Sequence, residues 1–219
     1  MNLLCFDLDG TLVDSETDIR AALSASLAEI PGADPVHDQR ALDAAGLGMP
    51  LEEFFAIARP DGTAEQCQVF YDGYRRHYLA HLLDHTHAFP GVVDTLEALQ
   101  PRRQKGLRLT VATTKRTDTA RRVITGLGLD PYFDAVLGTE GIPHKPAPDL
   151  LFLCARTVDR NPADGIMIGD TGRDIEAGRA AGMRTVGVGT GRLGLEGLAP
   201  FKPDWLIATL PDLLPLLTA

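Results

Sequence analysis

From Phe89 onward the chain alternates short apolar runs with helical stretches, and this rhythm constrains the fold more than any other feature. A helix over 91–100 leads to a strand at Arg108–Thr113, and a helix over 117–127 to a short strand near Ala135–Leu137. A helix over 148–158 leads to a strand at Gly165–Asp170, and a helix over 174–181 to Arg184–Val188, with a last strand around Trp205–Ile207. Such alternation implies parallel strands joined by crossover helices, an α/β fold. One further apolar run, Leu3-Leu4-Cys5-Phe6, stands at the start of the chain within a strand predicted over 2–7.

Residues 15–88 interrupt the rhythm after that first strand. Ile19, Ala22, Leu23, Ser26, Leu27 and Ile30 recur at helical spacing until Pro31-Gly32 stops them. Ser15, with Asp18 three residues later, predicts a capping box at the start of this helix. Further helices are predicted at 37–45, 51–58 and 64–83, with no strand pattern between 15 and 88. The block reads as a helical domain of residues 15–88 inserted into a core made of 1–14 and 89–219.

Bulk properties exclude several classes. The net charge is −9 and the basic residues are not gathered into runs, which argues against nucleic-acid binding. No stretch approaches the roughly 18 apolar residues of a membrane span, and no basic leader precedes an apolar one. Cys5, Cys67 and Cys154 are an odd number without metal-ligand spacing, read as small buried residues of a reducing compartment. The expected location is the cytoplasm.

The chemistry begins where the first strand ends, at Asp7-Leu8-Asp9-Gly10-Thr11. Two carboxylates two residues apart are a poor way to end a buried strand, because like charges repel and buried ones need a cation or a proton. The pair makes sense if Asp7 attacks, Asp9 handles a proton and a metal ion holds the group together. Three further polar sites follow: Thr113-Thr114-Lys115 at the end of a strand, Lys145 in His144-Lys145-Pro146-Ala147-Pro148, and Gly169-Asp170-Thr171-Gly172-Arg173-Asp174 after Ile166-Met167-Ile168. In open parallel sheets, ligands bind at the carboxyl ends of the strands. Gly10 and Gly172 permit close backbone approach or positive φ in their loops. Pro146 favours an extended Lys145, and Pro148 suits the first position of the next helix.

These motifs, from Phe6-Asp7-Leu8-Asp9-Gly10-Thr11-Leu12-Val13-Asp14-Ser15 through Thr113 and Lys145-Pro146 to Gly169-Asp170 and Asp174, resemble those of the haloacid dehalogenase-like phosphohydrolases. The likeness is strongest to the small-cap group that includes phosphoglycolate phosphatases. It implies a Rossmann-like parallel-sheet core with residues 15–88 as a helical cap. It implies that Asp7 is the nucleophile that takes the phosphoryl group, and that Asp9 protonates the leaving oxygen and then activates water. Thr113 and Lys145 would hold the transferring oxygens, with backbone donors at Leu8, Asp9 and Thr114. Asp7, the Asp9 carbonyl and Asp170 would bind Mg2+, and Asp174 would steady the metal's water shell or Lys145. The four aspartates carry four negative charges, of which Lys145 and Mg2+ return three.

The same resemblance places a substrate-specificity loop at Gly46-Leu47-Gly48-Met49-Pro50-Leu51, and offers Arg20, Arg40, Arg59, Arg75 and Arg76 as partners for a substrate carboxylate. His77, His81 and His85 form a row read as a surface or hinge stripe. Residues 15–88 contain no Lys, which counts against phosphonate cleavage and, with Ile19 in place of a cap His, against a phosphosugar mutase. Asp9 separates the chain from the dehalogenases, which lack the second Asp. The expected activity is Mg2+-dependent hydrolysis of a small phosphorylated metabolite of the phosphoglycolate kind. The alternatives are a mutase acting like β-phosphoglucomutase, a pyrophosphatase or nucleotidase, and more remotely a non-catalytic binding protein.

Overall fold

The computed structural model describes residues 2–32, 34–44 and 49–217. The strands are β1 (Leu3–Phe6), β2 (Val13–Asp14), β3 (His87–Ala88), β4 (Arg108–Ala112), β5 (Ala135–Leu137), β6 (Gly165–Gly169), β7 (Arg184–Val188) and β8 (Trp205–Ile207). The helices are α1 (Glu16–Ala28), α2 (Pro35–Ala44), α3 (Leu51–Ala58), α4 (Ala64–Ala80), α5 (Val92–Ala98), α6 (Gln100–Arg103), α7 (Thr117–Gly126), α8 (Asp149–Thr157), α9 (Gly172–Ala180), α10 (Gly194–Leu198) and α11 (Leu213–Leu216).

Among the described residues, six strands form one sheet in the order β5-β4-β1-β6-β7-β8, and every pairing in it is parallel. β1 is fully buried between β4 and β6, with Phe6 level with Val111 on one side and Ile168 on the other. The chain first moves outward from β1 to β4 and β5, then returns to the other flank at β6. The order reverses beside β1, and the carboxyl ends of β1, β4 and β6 lie together there. Residues of α8, among them Leu150, Leu151 and Cys154, pack on Leu3, Cys5 and Met167 of the sheet. Cys5 and Cys154 are buried free thiols, and Cys67 is half-buried.

The chain divides into two compact units, Met1–Asp14 with His87–Ala219, and Ser15–Thr86. The second unit has its own core, in which Phe54 and Phe70 stack at 5.5 Å between ring centres beside Leu23, Leu27 and Phe55.

Several local expectations need correction. Ser15 does stand at the N-cap of α1, but its side chain makes no capping bond. Asp18 is instead claimed by the far end of the same unit. Its carboxylate accepts from the backbone N–H of Thr86 at 2.8 Å, from the Thr86 hydroxyl at 2.7 Å and from His85. α4 ends at Ala80, with the His81 N–H bonded to the carbonyls of His77 and Tyr78. A strand does occur near the end of the 15–88 block: His87–Ala88 pairs antiparallel with Val13–Asp14. The predicted helix over 91–100 is two helices, because Pro101 cannot donate into a continuing turn. α9 starts at Gly172, two residues early, since Thr171 caps it and Asp174 completes the capping box. Pro148 stands at the N-cap of α8 rather than at its first helical position.

Candidate active site

Asp7 continues the line of β1, its N–H donating to the Ile168 carbonyl at 2.8 Å. The chain then turns sharply: the carbonyl of Leu8 accepts from Leu12 and Val13, and Gly10 adopts φ +89°. This turn sets Asp7 and Asp9 at the carboxyl edge of the sheet, both buried.

Lys145 reaches in from the loop before α8. The Lys145–Pro146 peptide is cis. The buried ammonium donates to Asp7 Oδ1 at 2.7 Å, to the carbonyl of Ala112 at 3.0 Å and to Asp174 Oδ1 at 2.5 Å. It thus caps the last carbonyl of β4 while joining two carboxylates. Asp174 is fully buried and used on both sides, because its Oδ2 accepts from the backbone N–H and hydroxyl of Thr171. Only a glycine at 169 permits this, since a Cβ there would sit 2.3 Å from the Asp174 carboxyl carbon.

Asp170 follows β6 and accepts from the Thr11 hydroxyl at 2.9 Å. Its other oxygen lies against two glycines: a Cβ on Gly10 would stand 2.3 Å from Oδ2, and one on Gly191 1.8 Å. The Thr190 hydroxyl bonds the Gly10 carbonyl at 2.7 Å and ties the loop after β7 to the first turn. Thr190 and Gly191 carry no sequence signal of their own; only the fold brings them to the first turn and to Asp170.

Thr113 is buried at the end of β4, and its hydroxyl accepts from the N–H of Lys115 at 3.1 Å. The Thr114 carbonyl accepts from Thr139. Lys115 stands two residues after Thr113 with no motif role in the sequence, yet its ammonium lies 3.0 Å from Asp9 Oδ2, with both side chains 9% exposed. Gly46, Leu47 and Gly48 lie outside the described residues.

Oxygen atoms of Asp7, Asp170 and Asp174 lie within 4.8 Å of one another. Burial pushes the Asp7 carboxyl up to about 7, and the charges of Asp174 and Asp9 add to this against the opposing pull of Lys145. Burial, then Asp7 and Asp174, likewise hold Asp170 well above the usual carboxylate range. Burial works against the Lys145 ammonium, but Asp174 and Asp7 outweigh it and raise its pKa. Four carboxylates, Asp7, Asp9, Asp170 and Asp174, face the two ammonium groups of Lys115 and Lys145. The two charges left over equal one divalent cation, and an all-oxygen donor set suits Mg2+. Asp7 and Asp170 fit as direct ligands. Asp174, with both oxygens already engaged, fits better as the partner of Lys145.

Other candidate residues have structural partners. Arg59 is buried and pairs with Asp38, Arg76 pairs with Glu29, and Arg20 donates to the Leu42 carbonyl. The histidine row disperses, with His77 on Glu29, His81 on Asp84 and His85 on Asp18. No helix among the described residues is long and apolar enough to cross a membrane.

This constellation on a parallel sheet defines a hydrolase class. Residues 4–188 match the haloacid dehalogenase-like hydrolase family, and the chain belongs to it. A pyrophosphatase of Halalkalibacterium halodurans is 31% identical over 216 residues, covering 98% of this chain and 95% of the relative. A phosphoglycolate phosphatase of Aquifex aeolicus is 31% identical over 223 residues, covering 99% and 97%. The crystal structure of a predicted phosphoglycolate phosphatase from Haemophilus somnus superposes with a TM-score of 0.82 at 27% identity, covering 99% of this chain and 97% of that one.

Proposed function

We propose that the protein is a Mg2+-dependent phosphatase that hydrolyses a small phosphorylated metabolite through an aspartyl phosphate on Asp7. The observation that carries this reading is the division of the cations: Lys145 holds Asp7, and Lys115 holds Asp9. Two carboxylates in one turn are thereby kept apart and oriented separately, as a nucleophile and a proton carrier need to be. The relatives that are phosphoglycolate phosphatases and pyrophosphatases support it.

In this reading residues 1–14 and 89–219 are the catalytic core and residues 15–88 a cap, working in the cytoplasm. An oxygen of Asp7 attacks phosphorus and the bond to the leaving oxygen breaks, while Asp9 gives that oxygen a proton. Asp9 then takes a proton from water, the water attacks the phosphoryl group on Asp7, and phosphate and the Asp7 carboxylate are released. Lys145 fixes the attacking carboxylate and, with Thr113 and the backbone at Leu8 and Thr114, meets the charge on the transferring oxygens. Asp7, Asp170 and the Asp9 carbonyl would hold Mg2+, which supplies charge neutralisation at those oxygens. Asp174 holds Lys145 in place.

Brief incubation with Mg2+ and a phosphomonoester, followed by an acid quench and peptide mass analysis, tests the reading. One phosphoryl group is expected on the peptide containing Asp7, and Asp7→Asn is expected to lose both the adduct and turnover. Unchanged turnover in Asp7→Asn refutes the mechanism.

A further inference from the structure

We propose that Lys115 is a specificity-determining residue that selects substrates with a second negative charge adjacent to the scissile bond. The inference rests on the phosphatase reading of the site.

Lys115 is held firmly. Its N–H is bonded to Thr113, and the loop after β5 grips the segment around it. The Thr139 hydroxyl donates to the Thr114 carbonyl at 2.9 Å, and the Gly138 N–H donates to the Thr117 hydroxyl at 2.8 Å. Glu140 accepts from the N–H and hydroxyl of Thr117. A glycine is required at 138, because a Cβ there would meet the Lys115 carbonyl at 2.1 Å. A long, flexible side chain is thus anchored at its root, and its ammonium is placed on Asp9.

As a stability device the pair is poor, because desolvating two charges offsets most of what their attraction returns. As a recognition device its position is specific. Asp9 must touch the leaving oxygen to protonate it. Where the leaving oxygen and the Lys115 ammonium share one Asp9 oxygen, they lie within about 6 Å of each other, the sum of two hydrogen-bond lengths. An anionic group one or two bonds from the leaving oxygen falls within its reach. A charge at the far end of a longer leaving group does not. An ammonium has three donors, so it can hold Asp9 and a substrate oxygen at once.

The chemistry selected is a carboxylate on the carbon bearing the ester oxygen, as in phosphate esters of 2-hydroxy acids, or a second phosphoryl group, as in a diphosphate. Lys145 lies on the nucleophile side, with Asp7 and Asp174, and cannot serve this group as well.

The test compares phosphoglycolate, its uncharged counterpart 2-hydroxyethyl phosphate, and pyrophosphate, each with Mg2+, for the natural protein, Lys115→Met and Lys115→Arg. Both organic esters have alkyl leaving groups, so each depends on Asp9 alike. In Lys115→Met, kcat/KM is expected to fall for both esters, because Asp9 loses its partner, and to fall about 10–100-fold further for phosphoglycolate than for 2-hydroxyethyl phosphate, the extra loss chiefly in KM. Lys115→Arg is expected to keep most of the preference. The ratio of the two substrates does not depend on how much of a variant is folded. A loss confined to phosphoglycolate or to pyrophosphate identifies the carboxylate or the phosphate as the group held. Equal losses on charged and uncharged esters, or a natural protein without preference between them, overturn the inference and leave the phosphatase reading intact. No turnover of any ester, in the natural protein as in Asp7→Asn, overturns both.

Discussion

The strongest test of the site's electrostatics uses pH and needs no substrate. In the metal-free protein the Asp7 carboxyl is pushed from 3.8 up to about 7, by burial first and then by its acidic neighbours. A carboxyl raised on folding contributes stability that is fully present below its unfolded pKa and is lost as pH rises through the folded value. Between about pH 5 and 7 the folded protein holds a proton on Asp7 that the unfolded chain has given up. Each pH unit is worth about 1.4 kcal/mol, so the natural protein should lose about 3 kcal/mol relative to Asp7→Asn across that interval. Groups such as Asp18, whose pKa is lowered, act in the opposite sense, but both proteins share them and they cancel. The assay is urea denaturation in EDTA at about pH 5 and 8, plotted as the difference between the two proteins. Mg2+ at 100 times its Kd should then return about 2.7 kcal/mol to the natural protein at the higher pH, and less to Asp7→Asn. Parallel pH profiles for the two proteins, or no effect of Mg2+, would refute the account of a buried acidic cluster that requires a cation.

Two further perturbations probe contacts outside the motif residues. Gly191→Ala places a methyl 1.8 Å from Asp170 Oδ2 and forces that carboxylate to move. Mg2+ affinity, followed by the metal-induced rise in thermal midpoint, should weaken at least tenfold, about 1.4 kcal/mol; unchanged affinity would show that Asp170 is not a ligand. Asp18→Ala leaves the buried Thr86 N–H without its acceptor and should cost about 3 kcal/mol in urea denaturation, with a loss below about 0.5 kcal/mol contradicting its role as a clamp.

The strand–helix alternation was legible because buried parallel strands leave short apolar runs, and Asp7 and Asp170 stand directly after two of those strands. The functions of individual side chains were less legible where the partner lies far along the chain. Ser15 and Asp18 carry a valid local capping pattern, but His85 and Thr86 compete for Asp18 from 67 and 68 residues away. Asp174 serves two partners at once, because a carboxylate has two oxygens: one accepts from Thr171 at the start of α9 and the other holds Lys145. No spacing rule joins Lys115 to Asp9, although β1 and β4 are neighbours in the sheet. Its presence also changes the charge count, which from sequence included one lysine.

The two-residue ladder between β2 and β3 has a consequence for how such a chain can diversify. Val13 faces Ala88 and Asp14 faces His87, so the segment between them leaves and rejoins the sheet unit at adjacent points. Closing a loop between such points costs only about 0.6 kcal/mol more for each doubling of its length. The sheet unit therefore sets almost no limit on what is spliced in there. A short turn, the present helices or a larger module would meet the same two backbone ends, and the 14/87 junction is a natural port for exchanging one inserted module for another.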